Sequence, residues 1–455
     1  MSDDQNMDDF FKNFDEFLNS GDGNFSMDDL PKDDFSKDEL NDLQSFFTNF
    51  LNQNSGGSGS EVNWEVAKKI APTLANSTEE DSGLEVQASE EDGKSVMAFD
   101  FMNQVGPANK EAPVSLGDKA KIEQIARITQ ANVAQRCDFI HVLEGSIDVV
   151  NKTEMADHLL GSIKPFFESL ARTLKRTFNV DSMGLPREDE EQSSQEQMIN
   201  QIAPTMLGAQ AGSMIGYLCR SALDASELLT FSGNGDLVIC CPNMVKFSSD
   251  WTLNQDTFYL YALTLVTIRV GQRTVPWVDE TIKQLSQDFA NTYNFSSQHV
   301  FENMNMPEEM EDIEKIESQP EMVLGALRTP EQEAVLTVMR KFLSILEGYA
   351  SVVTERIVKE NIPDLGLINE AMRRHQIERG AADKFMNMFL GIDLKDADLK
   401  MGEDFCRGVI ERSLEDNPQA DPLDCLNKIF EKKNNWPTDA ELTAPGLWIA
   451  RLEFM

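Results

Sequence analysis

Asp256–Glu280, DTFYLYALTLVTIRVGQRTVPWVDE, is the most apolar run of a 455-residue chain in which 78 acidic residues face 40 basic ones, a net charge of -38. Its reading decides the fold. β-Branched Thr264, Val266, Thr267, Ile268 and Val270 would suit a strand by propensity alone. The length favours a helix, since strands of globular proteins usually hold about five or six residues. Asp256 is placed to cap that helix. Pro276 then restarts the chain into a second one over Val278–Tyr293.

The flanks are mostly helical too. Val62–Ala75 places Trp64, Val66, Ala67, Ile70 and Ala71 near the 3.6-residue period. Longer helical patterns cover Leu116–Val142, Thr153–Phe178 and Met198–Leu223, and the polar REDEEQSSQEQ before the last reads as a solvated loop or an exposed first turn. Within Met198–Leu223, Gly208, Gly212 and Gly216 recur every four residues, which in a soluble protein means close packing against another element. Gly233-Asn234-Gly235-Asp236 followed by LVICC is the clearest strand signal, with Cys240 and Cys241 read as small buried residues on that strand. Thr329-Pro330 opens a long helix to about Glu360, with a cap residue and then proline at the first helical position. Three more helices and a closing segment, Pro437–Leu452, follow Pro363. The Met- and Glu-rich Asn303–Glu321 reads as an exposed loop. It has no Ca²⁺-loop motif, so its carboxylates are at best a weak site for Ca²⁺ or Mg²⁺.

Residues 1–60 carry fourteen acidic groups against three lysines. They interleave these with phenylalanines and end in the linker NQNSGGSGS. Such a composition gathers too little apolar surface to offset chain entropy, so a disordered acidic tail is expected. It is either a solubilising extension or a recruitment element whose Phe10, Phe11, Phe14, Phe17 and Leu18 form a helical face on a partner. The strong negative charge argues against nucleic acid and anionic membranes as partners. No apolar run reaches the length of a membrane span, so no membrane insertion is expected. The N-terminus lacks the basic and apolar regions of a signal peptide, and six scattered cysteines suggest neither disulfides nor a thiolate zinc site, which together point to the cytoplasm.

Four blocks then carry a family likeness. FYLYALTLVTIRVGQRTVPWV is similar to F-x-L-W-V-x-L-H-E-V-T-H-R-x-Q-F-x-x-V-P-W, and Ser344–Ala350, SILEGYA, to L-L-E-G-H-A. LVICCPNMV at Leu237–Val245 and VNWEVAKKIA at Val62–Ala71 match further blocks in the same order, and Phe389–Glu411 and the tail NNWPTDAEL add to them. Over roughly residue 61 to the end, the chain resembles a family of actinobacterial zincin-like hydrolases, zinc-dependent metalloprotease-like proteins of unknown function. The resemblance implies a mainly α zincin-like domain over residues 61–455 with a small β element. It also implies zinc, held by two histidines at i and i+4 on one helix face with a glutamate as general base.

This chain departs from that pattern at each chemically active position. Thr264 and Ile268 stand where the histidines would be, Leu265 where the base would be, and Tyr349 where the second block has histidine. Glu347, matching the block's glutamate and the family's implied third ligand, is retained. The four histidines, His141, His158, His299 and His375, show no i, i+4 pairing to replace the missing donors. The expectation is a degenerate site with no catalytic residue, no cofactor and its zinc lost. That describes a pseudoenzyme with a binding or scaffolding role, engaging a protein or peptide through the cleft or the tail. The alternative is a metal-dependent hydrolase with non-standard ligands. Glu347, if buried, must accept a hydrogen bond from Thr264 or Thr267, pair with an arginine such as Arg269, or hold a proton.

Overall fold

The computed structural model describes residues 61–77, 111–137, 139–140, 145–181, 190–228, 235–293, 329–377 and 394–454. The acidic tail, Asn303–Glu321, His141 and His299 lie outside them. In chain order the elements begin with α1 (Trp64–Asn76), α2 (Leu116–Arg136), β1 (Ile147–Val150), α3 (Lys152–Asp181) and α4 (Glu190–Ser221). A 3-10 turn (Ala225–Glu227), β2 (Leu237–Cys240), α5 (Cys241–Asp250), α6 (Gln255–Arg273) and α7 (Pro276–Asn291) follow. The chain continues through α8 (Pro330–Val358), α9 (Leu365–Ile377), α10 (Asp396–Asp416), α11 (Pro422–Glu431), a 3-10 turn (Lys433–Asn435), α12 (Asp439–Thr443) and α13 (Pro445–Glu453).

The apolar run is the buried helix α6, in which every residue from Tyr261 to Arg273 is shielded from solvent. A helix covered on all sides lies in the middle of its domain. Its cap is Asn254 and not Asp256: the Asn254 carboxamide oxygen accepts from the Asp256 and Thr257 amides at 3.0 and 3.1 Å. Asp256 falls in the first turn, where its charge favours the positive end of the helix. α2 and α8 pack along α6. On the α2 side Thr129 and Thr267 meet at 3.5 Å, and a side chain at Gly271 would strike Ile140. α8 opens with a reciprocal cap, Thr329 accepting from the Gln332 amide and Gln332 from the Thr329 amide.

The strand expected from LVICC is β2, and it pairs in parallel with β1, Ile147 opposite Leu237 through Val150 opposite Cys240. Two corrections apply here. Cys241 starts α5 and is not on the strand, because Pro242 at the head of a helix suits its fixed φ and missing N–H. β1 itself went unanticipated: IDVV is four residues long and offers too little alternation to read. Parallel strands need a long crossover, which α3 and α4 supply.

The sheet divides the interior. Val149, Leu237 and Ile239 face the core built around α6, α8, α10 and α11. Val150, Val238 and Cys240 face a second core built from α1, α3 and α4. Alternate residues of a strand point to opposite faces, so four residue pairs serve two cores at once. In the second core the small-residue stripe of α4 receives α1: a Cβ at Gly208 would fall 2.1 Å from the Asn63 carbonyl oxygen, and one at Gly212 2.8 Å from that of Ala67. The close packing expected of that spacing is thus present. α4 begins at Glu190, ahead of Met198, so the polar EEQSSQEQ is helix and not loop. α2 ends sooner than expected, at Arg136, where Cys137 turns to extended backbone. Among the described residues no helix is long and apolar enough to cross a membrane, and all six thiols are free.

Candidate functional site

α6 and α8 lie against each other, and their contact buries a group of charges. Glu347, 5 % exposed, receives a hydrogen bond from Arg269 Nη2 at its Oε2, 2.5 Å away. One turn further on, Gln272 donates to the Leu346 carbonyl at 3.0 Å. Arg273 donates to the carbonyls of Arg269 and Ser226 at 3.4 and 3.5 Å. The second contact brings in the turn after α4. There Asp224 accepts from the Ser226 amide at 2.8 Å and from the Ser226 hydroxyl. Glu227 accepts from the Leu223 amide at 2.8 Å and meets His375 Nε2, on α9, at 3.1 and 3.2 Å.

The result is two guanidinium groups and three carboxylates inside the protein, with His375 at the edge. Burial is the largest single influence on Arg269 and opposes its charge. The carboxylates of Glu347, Asp224 and Glu227 together outweigh it, so its pKa is raised. Burial is the largest influence on Arg273 as well and pulls it down to about 10, Glu347 and Asp224 opposing the fall and Arg269 reinforcing it. Burial and the neighbouring charge of Glu227 push Asp224 up against the pull of Arg269. Each arginine is therefore held by the carboxylates and holds them, and loss of one member leaves an uncompensated interior charge.

Of the residues singled out in the sequence, the structure brings Glu347 and α6 together, but through Arg269. The Thr264 hydroxyl donates to the Leu260 carbonyl at 2.6 Å and the Thr267 hydroxyl to that of Leu263 at 2.6 Å, each one turn back in the same helix. Leu265 and Ile268 are buried in the surrounding apolar core. Tyr349 bonds Asn427 at 2.5 Å on the far side of α8 from this network. Of the partners expected for Glu347, Thr264, Thr267 or an arginine, the arginine is the one present. Sequence reasoning missed Asp224, Glu227, Arg273 and His375. Two arginines four apart in an otherwise apolar run were a legible hint; a histidine about 150 residues from its glutamate was not.

This set does not fit Zn²⁺. One hydroxyl is committed to the helix backbone, one position is hydrocarbon, and the one carboxylate is already paired with a cation, beside a second arginine that would repel a divalent ion. Among the described residues no group of three or more His, Cys, Asp or Glu side chains is placed to hold a metal ion.

A family model described as zincin-like metallopeptidase matches residues 96–449 of the chain. Among solved structures, "a putative hydrolase with a novel fold" from Chloroflexus aurantiacus is similar, with a TM-score of 0.51 at 19 % identity. The match covers 86 % of this chain and 99 % of that one, a likeness of fold alone. No curated protein matches.

Proposed function

The chain belongs to the zincin-like metallopeptidase family, and from that premise we propose that it is a catalytically inactive member, a pseudo-metalloprotease that works as a binding or scaffolding protein. One observation carries the reading: the Glu347 carboxylate is occupied by the Arg269 guanidinium at 2.5 Å inside the protein. A catalytic zinc site needs three protein donors and an open position for water. Thr264, Leu265 and Ile268 on α6 supply neither a nitrogen donor nor a base at the positions where the family implies them. A buried monocation pairs with Glu347 where the family's divalent one is implied, and it offers no coordination site. The role that goes with this reading is to engage a protein or peptide through the cleft or the N-terminal tail.

The test is metal analysis of full-length protein purified without chelator, followed by titration with zinc. The expected result is zinc well below one ion per chain and no saturable uptake. One ion per chain, retained through dialysis, overturns the proposal in favour of a metal-dependent hydrolase with non-standard ligands.

A further inference from the structure

α3, in the second core, carries a basic stripe in an acidic chain. Between Lys164 and Arg176 it holds four basic residues and one acidic residue, Glu168, whereas in the whole chain acidic groups outnumber basic ones by 78 to 40. Positions 164, 168, 172, 175 and 176 recur at three- and four-residue intervals and share one helix face. Arg172, Lys175 and Arg176 are exposed. Lys175 reaches Glu61 at 3.5 Å, and neither Arg172 nor Arg176 has an acidic partner among the described residues. Apolar surface adjoins this stripe: the Lys164 ammonium lies 5.6 Å over the ring of half-buried Trp64, next to exposed Pro165.

The chain supplies a complement at the same place. Asp33, Asp34, Asp38, Glu39 and Asp42 lead into Leu40, Leu43, Phe46, Phe47 and Phe50, and the linker NQNSGGSGS joins this stretch to Glu61. Nine linker residues reach at most about 30 Å. The stripe from Lys164 to Arg176 is about 18 Å long at the helical rise, so the segment can lie along it. Such a short tether holds the local concentration of the segment near the millimolar range, enough for contacts too weak to form between separate molecules. We propose that Asp33–Leu51 docks in cis on the basic face of α3 beside Trp64, its carboxylates on Arg172, Lys175 and Arg176 and its phenylalanines toward Trp64 and Pro165. This is independent of whether the zincin site has lost its metal.

Carbodiimide cross-linking of the full chain, read by mass spectrometry, tests it. Lys164 and Lys175 are expected to couple to Asp33–Asp42. Yields should fall several-fold in about 0.5 M NaCl, which shortens the screening length, and in the double variant Arg172→Glu, Arg176→Glu. A second variant, Phe46→Ser, Phe47→Ser, Phe50→Ser, leaves every charge and every described residue in place and should also lower the yield. It answers the question even if charge reversal disturbs folding. Coupling of these lysines only to Glu188–Glu191, which follow α3 in sequence, overturns the proposal, as do tail cross-links indifferent to both variants.

Discussion

At the scale of single residues, the Arg269–Glu347 pair is a buried ion pair, and such a pair is a weak source of net stability but a large liability when halved. The two singles, Glu347→Leu and Arg269→Met, each leave one interior charge without its partner, Arg269 at 2 % exposure and Glu347 at 5 %. Each is expected to lower stability by about 3–5 kcal/mol. The double variant Arg269→Met, Glu347→Leu removes both charges, so its loss should be much smaller than the sum of the singles. Urea unfolding of the four proteins measures this cycle, and additive losses would show that the pair does not act as a unit. Arg273 and Asp224, which also sense Arg269, set the limit of the recovery. The chemistry of Glu347 was partly legible beforehand, because a carboxylate flanked by Leu346 and Tyr349 has to find a partner and Arg269 is the cation of the neighbouring apolar run. Which of the candidate partners it takes depends on the rotation of α6 against α8, and no residue spacing encodes that.

Between elements, α8 and α10 approach closely enough for backbone to meet backbone. A Cβ on Gly402 would sit 1.9 Å from the Ser344 carbonyl oxygen, and one on Gly348 2.2 Å from the Gly402 carbonyl carbon. The obstacle is backbone, which cannot swing aside as a side chain can, so Gly402→Ala must push the helices apart. It should cost about 1–3 kcal/mol or more, the range for overpacked interiors. Gly161, inside α3, has nothing within 4 Å of its would-be Cβ, so Gly161→Ala should instead stabilise by about 0.5–1 kcal/mol through helix propensity. Opposite signs in the same denaturant experiment separate close packing from propensity; equal signs would refute the contact. The helices were legible because their apolar period and caps are local, as at Thr329 and in the stripe Gly208, Gly212, Gly216. β1 was not, since four residues gain strand character only from the partner Leu237–Cys240, which lies some ninety residues away. The Cys240–Cys241 boundary was misread for a related reason. Two identical residues carry no mark of where a strand hands over to a helix, and the deciding signal was Pro242.

For the molecule as a whole, the question is where the folded unit begins. The family match starts at residue 96, yet α1 lies ahead of it, and Val62, Ala67, Ala71 and Ala75 belong to the second core. α4 could not present Gly208, Gly212 and Gly216 bare to water without exposing backbone that α1 now covers. Composition suggests another border at the change from the glycine and serine linker to Val62-Asn63-Trp64, and just after it Asn63 accepts from the Val66 amide at 3.3 Å and opens α1. Two truncations distinguish the borders. Removing residues 1–60 takes away no described residue and should shift the melting temperature by no more than about 2–3 °C. Removing 1–77 strips one wall of the second core, several apolar side chains each contributing about 1.5–3 kcal/mol, and should lower it by about 10 °C or more. Because the sheet gives one face to each core, Val150, Val238 and Cys240 would lose support on one side while Val149, Leu237 and Ile239 kept theirs. The shorter protein should therefore lose the two-state character of its transition, visible as non-coincident curves from far-ultraviolet circular dichroism and tryptophan fluorescence. A melting temperature unchanged by the longer deletion would place α1 outside the cooperative unit.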